Sequence, residues 1–420
     1  MPGPSSLAAS PSAAAPGEPG PGALVALGLA GFCAFLNVYT AQPLLPLLST
    51  TFQASKAATG LTVSAPNLAV ALFAPIVAAF AVRYPLHRVM GAALAAMVIP
   101  TLLAATATSL PALVAWRFAQ GMAVPGVYAV GVAYAAAVWP PATLGRATAA
   151  LVTGNVLGGF CGRAVAGIAA DVAGWRSAFV ALGILTAMGA VATSRLLPPV
   201  AKTRGVVPPS AWRTGAVLFR SGPVLATLGV GFSVLFTQVA TFTYVTYHLA
   251  GSPFHLGSSG LSAIFGVYLV GAAVTPLAGA WIARLGPRRI LGLSLGVGLA
   301  GSALTLVPVL WAIVLGLALS CSASFVNQAA ATSYLPGAAG PEHRGVASGL
   351  YIAGYYLGGA VGGVLPASAW AAGGWPACVI LVAAAQLVTL ALALRWWSRV
   401  VPGATMPVGV GPEAAAPWEP

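Results

Sequence analysis

The chain has 420 residues, of which 59% are hydrophobic and 5% charged, and its formal net charge is +13. Soluble domains carry about a quarter charged residues, so this composition excludes a water-soluble globular fold. The basic balance alone would admit nucleic acid as a partner, and the placement of the basic residues removes that reading below.

Residues 1–22 have no basic segment ahead of the first apolar run, so they are read as a disordered tail and not as a cleaved leader. A helix needs about 20 apolar residues to cross the hydrocarbon core. Runs of that kind fall at 23–47, 60–82, 89–109, 112–138, 147–170, 176–196, 222–248, 259–283, 290–308, 311–335, 346–369 and 375–395, which predicts twelve membrane-spanning helices. Several are rich in Gly, Ala and Pro, which spanning helices tolerate better than soluble ones. The basic stretch 197–221 reads as a cytoplasmic linker between a bundle over 23–196 and one over 222–396, and the Pro/Gly/Ala-rich 397–420 as a second loose tail.

With a cytoplasmic N-terminus, fourteen of the eighteen basic residues fall on the cytoplasmic side: Arg83, Arg88, Arg146, Arg195, Lys202, Arg204, Arg213, Arg220, Arg284, Arg288, Arg289, Arg344, Arg395 and Arg399. Lys56 and Arg176 fall outside, and Arg117 and Arg163 lie within spans. This segregation matches the positive-inside rule and predicts that both termini are cytoplasmic. The charge therefore reports topology, and no nucleic-acid partner is expected.

Cys33, Cys161, Cys321 and Cys378 all sit in predicted spans without a CxxC neighbour, so they are read as small apolar side chains and neither a disulfide framework nor a metal site is expected. There is no GxxxxGK[ST] phosphate loop, no nucleophile elbow and no ligand spacing among His87, His248, His255 and His343. No enzyme, cofactor or ATP-driven engine is expected.

The chain repeats itself at a shift of about 200 residues. Gly154, Leu157, Gly158, Gly159, Gly162, Gly174 and Trp175 recur as Gly354, Leu357, Gly358, Gly359, Gly362, Gly374 and Trp375. Gly31-Phe32 recurs as Gly231-Phe232, and Pro75, Arg83, Arg88 and Gly91 recur at a shift of 201 as Pro276, Arg284, Arg289 and Gly292. Two six-helix halves of this kind suit alternating access about a site near the membrane midplane. Gly154, Gly158 and Gly162 recur every four residues and leave one side of helix five bare, for tight helix packing, as a sliding surface between the halves, or for both, since Gly354, Gly358 and Gly362 repeat the pattern.

These features, with Arg117-Phe-Ala-Gln-Gly121 in helix four and Gly174-Trp-Arg-Ser-Ala-Phe179 after helix five, resemble the major facilitator superfamily over roughly residues 23 to 396. Helix five is similar to the antiporter motif G-x-x-x-G-P-x-x-G-G of drug-efflux members. Gly154, Gly158 and Gly162 fit, whereas Gly159 stands in for the proline and Arg163 for the last glycine. The family's loop motif G-x-x-x-D-R-x-G-R-R is matched in the second half by Gly279, Arg284, Gly286 and Arg288, with Arg289 beside it and Ala283 in the aspartate's place. In the first half Arg83 fits, Ala78, Val82 and Pro85 depart, and Arg88 follows His87.

The resemblance implies a cavity lined by helices one, four, seven and ten. Carried over, it gives Asn37, Tyr39, Gln42, Gln120, Tyr128, Thr237, Gln238, Thr241, Tyr244, Ser324, Asn327 and Gln328 as a polar and aromatic lining, with Arg117 and Arg163 as embedded cations. Each polar residue is also read as an interhelical hydrogen-bond partner. Counting ~1.5 Å per residue puts Arg117 and Arg163 at similar depths, roughly 8 and 10 Å below the outer helix ends, and a shared hydrated outer cavity is expected. The alternative is that their long stems snorkel outward or bond helix carbonyls. All five acidic residues, Glu18, Asp171, Glu342, Glu413 and Glu419, lie in tails, loops or helix ends, which leaves Arg117, Asp171 and His248 as coupling candidates. Asp171 is also read as a helix cap or a partner of Arg176, and His248 as an interfacial residue of an aromatic belt.

The resulting expectation is a monomeric, bilayer-embedded secondary transporter in a bacterial inner membrane, exporting a small organic molecule in exchange for protons. Facilitated uptake or exchange of an organic anion is the alternative within transport, and a non-transporting membrane sensor or scaffold the alternative outside it.

Overall fold

The computed structural model describes residues 20–81, 83–200 and 211–398; most of the two predicted tails, Val82, and linker residues 201–210 with Lys202 and Arg204 lie outside the described residues, as does Arg399. The first half comprises α1 (Pro21–Val38), α2 (Leu45–Thr51), α3 (Lys56–Ala81), α4 (Leu86–Ala105), α5 (Leu110–Val138), α6 (Pro141–Ala173) and α7 (Trp175–Leu196). A short linker helix, α8 (Ala211–Leu218), precedes α9 (Gly222–Ala250), α10 (Ser258–Ile264), α11 (Val267–Leu285), α12 (Pro287–Leu304), α13 (Leu310–Ala339), α14 (Arg344–Val364) and α15 (Pro366–Trp396). Among the described residues there is no β-strand, and ten segments are long and apolar enough by themselves to cross a membrane. α12 and α14 coincide with the two remaining predicted crossings.

Three predicted spans are broken where proline or glycine interrupts the helix. The run 23–47 is α1, a 3-10 turn over Gln42–Leu44 and α2, because Pro43 and Pro46 supply no backbone N–H. The run 259–283 divides into α10 and α11 around Phe265 and Gly266. The run 346–369 stops at Val364 ahead of Pro366, and α15 kinks at Gly373 and Gly374, the latter with φ of 63°.

The sequence repeat is repeated in packing. α1 packs on α6 as α9 does on α14, α4 on α7 as α12 on α15, and α3 on α5 as α11 on α13. A Cβ added at Gly154, Gly158 or Gly162 would strike the carbonyls of Gly28, Phe32 and Leu36 in turn, so α6 lies directly on the α1 backbone. Gly358 and Gly362 meet Phe232 and Phe236 of α9 in the same way. These glycine faces therefore pack inside each half, and the expectation of a sliding surface between halves is not met at these positions. Large apolar side chains left exposed, among them Ile76, Phe80, Ile168, Met188 and Ile380, form the surface that the bilayer covers.

Candidate functional site

A cavity of about 520 Å³ lies between the halves. Its closed end is made by Tyr39, Arg163, Gln238, Tyr268 and Tyr356, and its walls run to Val132, Val152, Thr332 and Ser348, which are exposed. The cavity thus opens at the end of the bundle that carries Arg146 and Arg344.

The other end is sealed by bonds that run between the halves. The Thr59 hydroxyl is 2.6 Å from the Tyr247 hydroxyl, Ser64 donates to the Ala360 carbonyl at 2.5 Å, and Gln42 donates to Thr243 at 3.4 Å. Ser262 donates to the Arg163 carbonyl at 2.7 Å. Lys56 Nζ stands 5.2 Å from the ring centres of both Tyr247 and Trp370. Asp171, at the end of α6, accepts the backbone N–H groups of Ser258 and Ser259 at 3.1 and 2.9 Å. It caps α10 of the opposite half and does not pair with Arg176, which donates to the Ala107 carbonyl instead.

Arg163 sits at the head of the cavity, 2% exposed. Nε donates to Gln42 Oε1 at 2.9 Å and Nη1 to the Gly159 carbonyl at 2.7 Å. Its guanidinium carbon lies 4.9, 4.7 and 4.5 Å from the ring centres of Tyr39, Phe265 and Tyr268. Tyr39 belongs to the first half and the other two rings to the second, so the cation joins the halves. Position 363, the equivalent in the repeat, is glycine, and a Cβ there would crowd the Ser64 hydroxyl of α3.

Arg117 is separated from this site. It is fully buried and absent from the cavity lining, which corrects the expected shared outer cavity. Nη1 donates to the Asn37 carbonyl at 2.6 Å, Nη2 to the Val38 carbonyl at 2.5 Å, and Nε to the Thr62 carbonyl at 3.0 Å. Asn37 and Val38 end α1, where the last carbonyls of a helix lack partners and carry its negative pole. Thr62 stands four residues before Pro66, which has no N–H to offer it. The guanidinium meets three carbonyls that lack a helical N–H partner, of which the Asn37 carbonyl also accepts the Thr40 hydroxyl at 3.0 Å.

Of the residues expected to line the cavity, Tyr39, Tyr128, Gln238 and Gln328 do so with Arg163. Asn37 turns into the first half, bonding Thr186 at 2.8 Å, and Gln120 bonds Thr101 at 2.8 Å and Arg117 at 2.5 Å. Gln42 sits behind Arg163 in the seal. Thr237, Ser324 and Asn327 line a separate void of about 10 Å³ inside the second half, room for about one water. Tyr244 donates toward the carbonyls of Gly363 and Val364 at the end of α14, and Thr241 is buried outside the lining. His248 stacks on Trp375 with ring centres 5.8 Å apart.

In the loop motifs, Gly286 has φ of 82°, a conformation that favours glycine, and Arg288 donates to the Leu394 carbonyl at 2.6 Å. Gly279 has open space around it, and Arg83, Arg88, Arg284 and Arg289 make no side-chain hydrogen bond among the described residues. The sequence reading missed Asn155, Tyr268, Phe325, Tyr351, Tyr355 and Tyr356 as cavity residues. The run Tyr351-Ile-Ala-Gly-Tyr-Tyr356 was the available signal, since three phenols in a predicted span need polar surroundings.

Two helical halves joined across one end and parted by a cavity at the other define a membrane transporter. The chain belongs to the Major Facilitator Superfamily, whose sequence profile matches residues 27–272 and 249–420. It is 30% identical over 382 residues to the inner membrane transport protein YnfM of Escherichia coli, covering 90% of each chain. It is 27% identical over 366 residues to the MFS-type transporter YybF of Bacillus subtilis, covering 86% of this chain and 90% of that one. Its fold matches a bacterial homologue of the human lysosomal transporter Spinster in an inward-facing, unoccupied conformation, with a TM-score of 0.70, 17% identity, and 89% and 93% of the two chains covered. The nucleoside transporter NupG matches with a TM-score of 0.73 and 14% identity over 89% of this chain and 99% of that one.

Proposed function

We propose that this transporter carries one small organic molecule at a time by alternating access, as a monomer in a bacterial inner membrane, and that the conformation described is its inward-open state. The observation that carries this reading is the cavity of about 520 Å³, open at one end and closed at the other by bonds that run between the halves. Rocking the halves would exchange one seal for another without unfolding either bundle. The segregation of basic residues supports a cytoplasmic open end, and the similarity to an inner membrane transport protein supports the location.

Export in exchange for protons is supported by the likeness of helix five to the antiporter motif. A second reading, facilitated movement or exchange of an organic anion, is favoured by Arg163: it charges the cavity positively, and no carboxylate is in the lining. Proteoliposomes with an imposed pH gradient and a panel of anionic, cationic and neutral compounds separate the two. Substrate flux that disappears when the gradient is collapsed supports proton exchange, anion flux indifferent to it supports the second reading, and no flux of any compound contradicts both.

The seal makes a prediction of its own. Asp171→Asn removes the charge that holds two N–H groups of the opposite half, a contact that solvent screening of the exposed carboxylate limits to about 1 kcal/mol. Spin labels on Thr51→Cys and Ala372→Cys, one in each half, should then show a longer distance population that the parent lacks. An unchanged distance distribution would show that Asp171 contributes nothing to closure.

A further inference from the structure

We infer that Arg163 and the rings around it form the binding subsite for the anionic group of an aromatic acid, which makes an aryl carboxylate the substrate class. This rests on reading the cavity as the transport site. A guanidinium has five N–H donors, and in Arg163 two atoms use one bond each, to Gln42 and to Gly159. Nη2 makes no hydrogen bond among the described residues, although the side chain is 2% exposed and lines the cavity. Nη2, with both hydrogens unused, is where a carboxylate oxygen can bond.

The charge is met by ring faces but by no anionic group. The neighbours of the guanidinium are rings, an amide oxygen and a backbone carbonyl, and the nearest acid in the same helix, Asp171, is occupied with Ser258 and Ser259. Arg117 shows what a structural arginine looks like in this chain: every guanidinium nitrogen has an oxygen partner. Arg163 lacks that completeness. A buried cation with open donors, facing a cavity, is a site waiting for an anion.

The rest of the cavity describes the body of the ligand. Tyr128, Phe325, Tyr355 and Tyr356 offer ring faces and edges, while Gln238 and Gln328 can bond a second polar group. A volume of about 520 Å³ accommodates one or two fused rings with their substituents.

The test uses the full chain in nanodiscs, with calorimetric titration of 2-naphthoate, its neutral isostere 2-naphthamide and the cation 2-naphthylmethylammonium. Naphthoate is expected to bind at least roughly tenfold tighter than the amide, with the cation weakest, from the strength of hydrogen bonds to a charged partner. In Arg163→Gln the preference for naphthoate over naphthamide should vanish, and Arg163→Lys should retain part of it. Equal binding of acid and amide by the wild type, no binding of naphthoate, or an unchanged preference in Arg163→Gln overturns the proposal. The wild-type comparison needs no variant, so it decides even where Arg163→Gln fails to fold. Counterflow in proteoliposomes tests the underlying reading separately. Movement of the amide or the amine without dependence on Arg163 removes the anion subsite and leaves transport standing, whereas tight naphthoate binding without counterflow keeps the subsite and removes transport.

Discussion

Gly158→Leu is expected to abolish transport and to lower the thermal unfolding temperature in detergent, while the protein still inserts into the membrane. Leucine favours insertion, so the segment loses nothing as a span. The loss comes from assembly: even a methyl at 158 would collide with the Phe32 carbonyl, a rigid backbone atom that cannot rotate away. α1 must then withdraw from α6 along the line of Gly154, Gly158 and Gly162. Overpacking costs about 1–3 kcal/mol even where side chains can adjust, and here a backbone has to move. Gly158→Ala should already remove most activity. Gly349, in α14 with no atom within 4 Å of an added Cβ, is the control, and Gly349→Ala should leave both readouts at the parental level. Parental transport and unfolding temperature in Gly158→Leu would show that the close approach of α1 is dispensable.

The architecture was legible because its causes are local or repeated. Apolar length marks a crossing, and a duplicated pattern must fold twice in the same way, so the pairing of Gly158 with Phe32 has its twin in Gly358 with Phe232. Interruptions were less legible. A proline such as Pro43 falls between two helices, whereas Pro66 and Pro75 sit inside the continuous α3, and the mean hydropathies of the two stretches, 1.8 and 1.9, do not tell them apart. At Pro66 the bond lost to the Thr62 carbonyl is replaced by Arg117 from α5.

Only part of the cavity wall was legible. Membership of helices one, four, seven and ten located Tyr39, Tyr128, Gln238 and Gln328, but a helix has several faces, and the sequence does not state which polar residue takes the inner one. Asn37 and Tyr39 are two residues apart on α1 and its cap, and they point to Thr186 and to the cavity respectively. On the helices that carry the glycine faces, Arg163 alone is expected at the cavity, and Asn155 on α6 and Tyr355 on α14 were missed. Depth misled in the case of the two arginines: similar distance from a helix end does not mean a shared environment when one side chain turns toward α1 and α3 and the other toward α10 and α11.

That difference predicts opposite phenotypes for the two. Arg117→Gln is expected to destabilise the empty protein by about 2 kcal/mol or more, because the carbonyls of Val38 and Thr62 lose their side-chain donor in a dry interior at about 1–3 kcal/mol each, while the Asn37 carbonyl keeps the Thr40 hydroxyl. The end of α1 should loosen with it, since its negative pole loses the cation that faces it. Arg117→Lys should recover part of the stability, as an ammonium keeps the charge and three donors but lacks the planar fork that spans carbonyls of two different helices. Arg163→Gln, with open donors and a cavity beside it, should change stability less than ligand preference. Unfolding measured without ligand separates the roles: an Arg117→Gln protein as stable as the parent, yet inactive in transport, would assign Arg117 to the transport cycle and remove its role as the pin between α1 and α3.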